Sequence, residues 1–135
     1  RELGIEALTL YAFSIENWKR SRQEVGTLMR LLDEYLSREL STLLKNQVGL
    51  NVIGRLDGLP PSVQEHLRAV MAKTRPGAKM VLTLALNYGG RAEILDAVRR
   101  LADDVAAGRL ASSAIDEAVF DRYLDPEAGR HARAV

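Results

Sequence analysis

Ala7-Leu8-Thr9-Leu10-Tyr11-Ala12-Phe13-Ser14-Ile15-Glu16-Asn17-Trp18-Lys19-Arg20-Ser21-Arg22-Gln23-Glu24 is the stretch on which the fold turns. Residues 7–13 are apolar on both alternating faces, the pattern of a strand covered on both sides. Ser21 to Glu24 has the S-x-x-E form of a capping box, in which hydroxyl and carboxylate satisfy the first orphan amides of a helix. A buried strand, a short polar segment and a capped helix together open an α/β unit.

Downstream, Val25, Leu28, Met29, Leu32, Leu36, Leu40 and Leu43 recur at helical steps, widened by Leu31, Tyr35 and Leu44. They predict a long helix over about 22–46. Gly49 ends that segment, Leu50-Asn51-Val52-Ile53 reads as a short strand, and Gly54 to Leu59 as a loop. Pro60 and Pro61 precede Ser62-Val63-Gln64-Glu65, a second capping-box spacing opening a helix with Val63, Leu67, Val70 and Met71 on its face. Met80 to Leu86 is a further apolar strand, with Asn87-Tyr88-Gly89-Gly90 as the turn after it. Ile94, Val98, Leu101 and Val105 place a helix over about 91–107, stopped by Gly108. Ser113 with Asp116 caps a last short helix reaching Tyr123. Upstream, Arg1-Glu2-Leu3-Gly4-Ile5 reads as a helix end with its glycine stop, as though an earlier part were missing. The expected division is a domain over 1–125 and an unpatterned tail over 126–135.

Strands alternating with helices imply an α/β fold, a parallel sheet flanked by helices. Right-handed crossovers would set successive strands side by side, with the loops that follow them on one ligand-binding edge. Ser14 to Ser21, Gly54 to Leu59 and Asn87 to Arg91 meet that condition.

Composition narrows the field. Against 18 Asp+Glu stand 19 Lys+Arg, so a net charge of +1 supports no general grip on nucleic acid or anionic membrane. Cysteine is absent, which excludes disulfides, thiolate metal sites and cysteine nucleophiles and fits a cytoplasmic setting. No apolar run approaches the ~20 residues of a membrane helix. His66, set mid-helix on the solvated side, and His131, in the tail, make no metal site. Asp103-Asp104 reads as solvated surface.

Ser14 to Arg20 gathers a hydroxyl, a carboxylate, an amide, the single tryptophan and cations into seven residues. A loop that only turns seldom carries tryptophan. Arg20 offers a fork of donors for phosphate, and Ser14 and Asn17 can orient a ligand. The plainer reading has Trp18 plugging the core edge and Arg20 pairing with Glu16 or Glu24; spacing alone weighs the two equally. At Asn87 to Arg91, helix-start amides and paired glycines suit an anion, but a tight turn alone also calls for glycine. The leucine-rich helix is a core helix or the wall of an apolar tunnel.

Together, Tyr11-Ala12-Phe13-Ser14-Ile15-Glu16-Asn17-Trp18-Lys19-Arg20 and Leu86-Asn87-Tyr88-Gly89-Gly90-Arg91 resemble two signature blocks of the cis-prenyltransferases, the undecaprenyl diphosphate synthase-like isoprenyl transferases. The likeness runs from about Glu2 to Leu124. It implies condensation of isopentenyl diphosphate with an allylic diphosphate to a cis-polyprenyl diphosphate, with Mg²⁺, in a cytoplasmic homodimer with a hydrophobic tunnel. Membrane contact, if any, would be peripheral, through the lipid product. The resemblance assigns the proton acceptor to Asn17 and substrate contacts to Ser14, Ile15, Glu16, Trp18 and Arg20. A neutral amide being a weak base, Asn17 is also read as orienting substrate or relaying the proton to diphosphate. The family's Asp-Gly-Asn-Gly-Arg block, with its metal-binding aspartate, and its Arg-Thr-Ser/Gly-Gly-Glu block have no counterpart here, and Ser21 stands where proline is common. The expectation is therefore an interior fragment, truncated at both ends, inactive alone and with metal ligands outside the chain. Rival readings are a non-catalytic partner subunit of a heteromeric prenyltransferase and an unrelated nucleotide-binding module.

Overall fold

A computed structural model describes residues 3–124, which divide after Tyr88 into two compact units. Arg1, Glu2 and the expected tail over 126–135 lie outside the described residues. In the first unit β1 (Ala7–Ser14), α1 (Arg22–Lys45), β2 (Val48–Ile53), α2 (Pro61–Thr74) and β3 (Met80–Tyr88) alternate as expected. The strands are all parallel, in the order β1-β3-β2. Of the successive strands only β2 and β3 are side by side, since β3 inserts between β1 and β2. Leu82, Leu84, Ala85 and Leu86 are all buried, and the middle of a sheet is where such a strand finds cover on both edges.

The reading of 7–13 as a buried strand fails among the described residues. Leu8 is 40%, Leu10 45% and Tyr11 61% exposed, and only Phe13 of this strand is buried. β1 lies at the edge of the sheet. The core gathers instead where α1 and α2 meet β2 and β3, through Met29, Leu36, Leu43, Leu50, Val52, Leu67, Val70 and Leu84.

Helix α1 starts as expected. Glu24 N donates to Ser21 Oγ at 3.2 Å while Ser21 N donates to a Glu24 carboxylate oxygen at 3.1 Å. The second capping box does not form. α2 begins two residues earlier, with Pro60 as its cap and Pro61 at its first position, where the missing N–H costs nothing. Gln64 instead donates to the Leu59 carbonyl at 2.7 Å. Gly49 sits inside β2, with room for a side chain closed off by Ala78, whose Cβ would lie 2.9 Å from an added Cβ. Thr74 joins α2 to β2, its Oγ1 donating to the Val70 carbonyl at 2.8 Å and accepting from Leu50 N at 2.9 Å. His66 is half-buried, its Nδ1 2.7 Å from Asp33 Oδ1 on α1, which corrects its placement on the solvated side.

The second unit holds α3 (Gly90–Ala106), a 3-10 turn at Ser112–Ala114 and α4 (Glu117–Tyr123). Asp116 caps α4, accepting from Val119 N at 2.8 Å. Asp104 is no idle surface group. It accepts from the Tyr123 hydroxyl and from Arg109 Nε at 2.8 Å, while Arg100 donates to the Tyr123 carbonyl at 2.6 Å.

Candidate active site

Parallel strands end on the same side, so Ser14, Ile53 and Tyr88 stand along one edge of the first unit. After Ser14 the chain makes a 3-10 turn over Ile15–Lys19, bringing Asn17 back onto the strand end. Asn17 Oδ1 accepts from Ser14 N at 2.7 Å and from Ser14 Oγ at 3.0 Å, and the Asn17 carbonyl accepts from Arg20 N at 3.1 Å. Both bonds to Ser14 fall on one oxygen, which fixes the carboxamide and leaves its amine side as a donor.

Trp18 stands on Phe13 edge to face, ring centroids 5.1 Å apart, and its indole N–H donates to Asn87 Oδ1 at 2.6 Å. Beside it, Tyr11 and Tyr88 form a second T-shaped pair at 5.6 Å, and the Tyr11 hydroxyl donates to the Tyr88 carbonyl at 2.9 Å. The segments after β1 and β3 therefore share one rim. The segment after β2 joins them: Asn87 Nδ2 donates to the Arg55 carbonyl at 2.7 Å, and Arg55 N donates to the Asn87 carbonyl at 3.2 Å. Gly54 permits that approach, for at φ +117° a Cβ there would lie 1.9 Å from the Leu86 carbonyl oxygen.

Of the six site residues expected from sequence, Ser14, Asn17 and Trp18 are tied directly into this rim, while Glu16 and Arg20 are exposed on the same segment and Ile15 is half-buried. Arg20 contributes to holding Glu24 below the usual carboxylate range, although the larger causes are the two hydrogen bonds from Ser21. The plainer reading of Trp18 is right in part, since it does close the core edge. Sequence reasoning set Asn87 on the ligand-binding edge but in a turn and did not name it among the site residues; it is the penultimate residue of β3 and buried. Asparagine is depleted from strands, so one ending an apolar run was the available signal.

Among the described residues no group of three or more His, Cys, Asp or Glu side chains could hold a metal ion. The rim supplies a hydroxyl, amides and a guanidinium, a donor set suited to an anion and unsuited to Mg²⁺, which prefers carboxylate and water oxygens. In the second unit, Gly89 precedes α3 in extended conformation, and a Cβ at Gly90 would meet nothing. The turn therefore does not require Gly90 for space.

In open α/β sheets ligands bind at the carboxyl ends of the strands, and the hydrogen-bond donors and guanidinium on this edge are of a kind that suits an anion. Comparison gives the family. The prenyltransferase family model, that of undecaprenyl diphosphate synthases, matches residues 1–132. An isoprenyl transferase of Geobacter sulfurreducens is 44% identical over 122 residues, covering 90% of this chain and 50% of the relative. A geranylgeranyl-diphosphate-specific tritrans,polycis-undecaprenyl-diphosphate synthase of Pyrococcus horikoshii is 48% identical, covering 91% of this chain and 47% of the relative. The crystal structure of lavandulyl diphosphate synthase from Lavandula x intermedia, in complex with dimethylallyl diphosphate, superposes with a TM-score of 0.88 at 34% identity, covering 92% of this chain and 53% of that one. The chain belongs to the undecaprenyl diphosphate synthase-like family of isoprenyl transferases. It spans about half the length of the curated relatives it matches. Among the described residues no helix is long and apolar enough to cross a membrane.

Proposed function

We propose that this chain serves an isoprenyl transferase that condenses isopentenyl diphosphate with an allylic diphosphate to a cis-polyprenyl diphosphate. The observation that carries the reading is the Trp18–Asn87 bond, which seats the two sequence blocks of the resemblance on one rim. In the reaction the allylic C–O bond breaks, its electron pair leaving with diphosphate, as the isopentenyl double bond attacks the allylic carbon. Loss of a proton from C2 then completes the new cis double bond. Arg20 grips diphosphate oxygens with its fork of donors. Ser14 fixes Asn17, whose free amine side orients substrate; with Oδ1 already accepting twice, the proton passes to the departing diphosphate and not to the amide. Ile15, Glu16 and Trp18 line the approach. Holding two charged substrates in one geometry supplies much of the acceleration. The family's Mg²⁺ belongs to this reading with ligands outside this chain, as do a homodimer, a cytoplasmic setting and peripheral contact of the lipid product with membrane.

The test is a titration of the chain with dimethylallyl diphosphate, followed by the fluorescence of Trp18. Arg20→Lys keeps the charge and loses the fork, so the apparent Kd should rise several-fold. Equal binding by parent and variant would remove Arg20 from the site, and absence of any binding by the parent would overturn the reading. In a parent that turns over, Asn17→Ala should lower kcat; an unchanged rate and pH profile would take Asn17 out of the chemistry.

A further inference from the structure

We propose that Asn87 is a positioning residue, which sets Trp18 and the Gly54–Leu59 turn as one unit for ligand binding at the rim; only the identity of that ligand rests on the isoprenyl transferase reading. The argument begins in the register of β1 and β3. Their pairing passes from Phe13↔Leu86 to Ser14↔Tyr88, so Asn87 is skipped by the ladder. A skipped residue leaves the in-and-out alternation of the strand and re-aims its side chain. Asn87 does so at φ +48°, a left-handed conformation that asparagine tolerates better than most residues.

The re-aimed carboxamide is used at both ends. Its oxygen takes the Trp18 indole N–H at 2.6 Å and its nitrogen donates to the Arg55 carbonyl at 2.7 Å. Turning the amide over would set NH₂ against indole N–H and carbonyl against carbonyl, so only one orientation satisfies both neighbours. The residue is 6% exposed, too buried for water to substitute freely for those partners. Gly58 completes the seat, since a Cβ there would come within 2.5 Å of Asn87 Nδ2. A ligand that moves Trp18 is thereby felt at Arg55 and Gly58 through a single group. An apolar side chain would fill the same space without tying the indole to the turn.

Trp18 is the only tryptophan, so its fluorescence and its indole proton resonance report on this place alone. In the parent chain the indole proton should exchange slowly with water although the residue is 39% exposed; rapid exchange overturns the proposal without any variant. Asn87→Gly preserves the backbone conformation and removes the carboxamide. It should shift the Trp18 emission, speed indole exchange and weaken binding of inorganic diphosphate roughly five- to tenfold. Asn87→Asp keeps the acceptor for Trp18 but sets an oxygen against the Arg55 carbonyl, so it should slow indole exchange back toward the parental rate while ligand binding stays weakened. Parental spectra in the Gly variant, or no recovery in a folded Asp variant, overturn the assignment. If the indole results hold while the parent binds neither inorganic nor dimethylallyl diphosphate, the diphosphate reading falls and the positioning of Trp18 by Asn87 stands.

Discussion

Each of the two units has its own polar joint, and the two joints are built from opposite materials. At the rim of the first, an indole, a carboxamide and backbone carbonyls meet around the buried Asn87, all of them neutral. In the second, the Asp104 carboxylate takes the Tyr123 hydroxyl and the Arg109 guanidinium in partly exposed surroundings. Neutral groups are cheap to bury and indifferent to pH, while charged ones gain strength from each other and lose it when either titrates. The difference teaches which joint suits a binding site. On the proposed reading, a rim that must hold its shape as diphosphates come and go is better anchored by groups whose own charge never changes.

The comparison can be broken most directly at Gly54. Gly54→Ala drives a Cβ into the Leu86 carbonyl at a left-handed φ and should cost about 3 kcal/mol or more. A urea midpoint nearly equal to the parent's would show that the rim is not the constrained half. Trp18→Phe keeps the ring on Phe13 but strands Asn87 Oδ1, and a loss of roughly 1–2 kcal/mol is expected in the same measurement. Ser21→Ala removes the cap of α1 outside both joints, at about 1 kcal/mol.

The smallest effects sharpen the contrast through pH. Hydrogen bonds from Tyr123 and then Arg109 hold Asp104 below its ordinary 3.8, so its contribution is present above that pH and fades as pH falls through the lower folded value. The bond to Asp104, with lesser help from burial, raises Tyr123 above its ordinary 10.0. That contribution is complete below pH 10.0 and is lost as pH rises through the folded value. Protection of the α4 amides, measured against their intrinsic exchange at the same pH, should therefore fall at both extremes, and Tyr123→Phe should abolish the alkaline limb. Protection of the Trp18 indole proton, its exchange rate measured against that of a free indole at the same pH, should follow neither limb, because neither indole nor carboxamide titrates across that range. A shared pH profile would erase the distinction.

Much of the architecture was legible because it is written in local repeats. The three- and four-residue spacing from Val25 to Leu43 and the Ser21–Glu24 box place α1 to within a residue or so of Arg22–Lys45. The Ser62–Glu65 spacing misled, since Pro60 and Pro61 had already set the helix start. Residues 7–13 misled differently. Their apolar pattern states what the strand could bury, while the cover it receives depends on what packs on it. β2, at the opposite edge, is mostly buried because α1 and α2 lie on it, and they pack on β2 rather than on β1. At the site, Ser14, Asn17 and Trp18 stood out by unusual residue types in a short segment. Asn87 did not, because its role depends on a register shift between strands remote in sequence.

Periodicity, caps and two short blocks were enough to set the α/β class, the limits of α1 and α3 and the isoprenyl transferase family, since each depends on residues within a few positions of one another. The order β1-β3-β2 and the bond between Trp18 and Asn87, 69 residues apart, belong to the folded chain alone. Which surfaces meet is settled by the competition of all apolar faces for cover, and no local pattern contains the outcome of that competition.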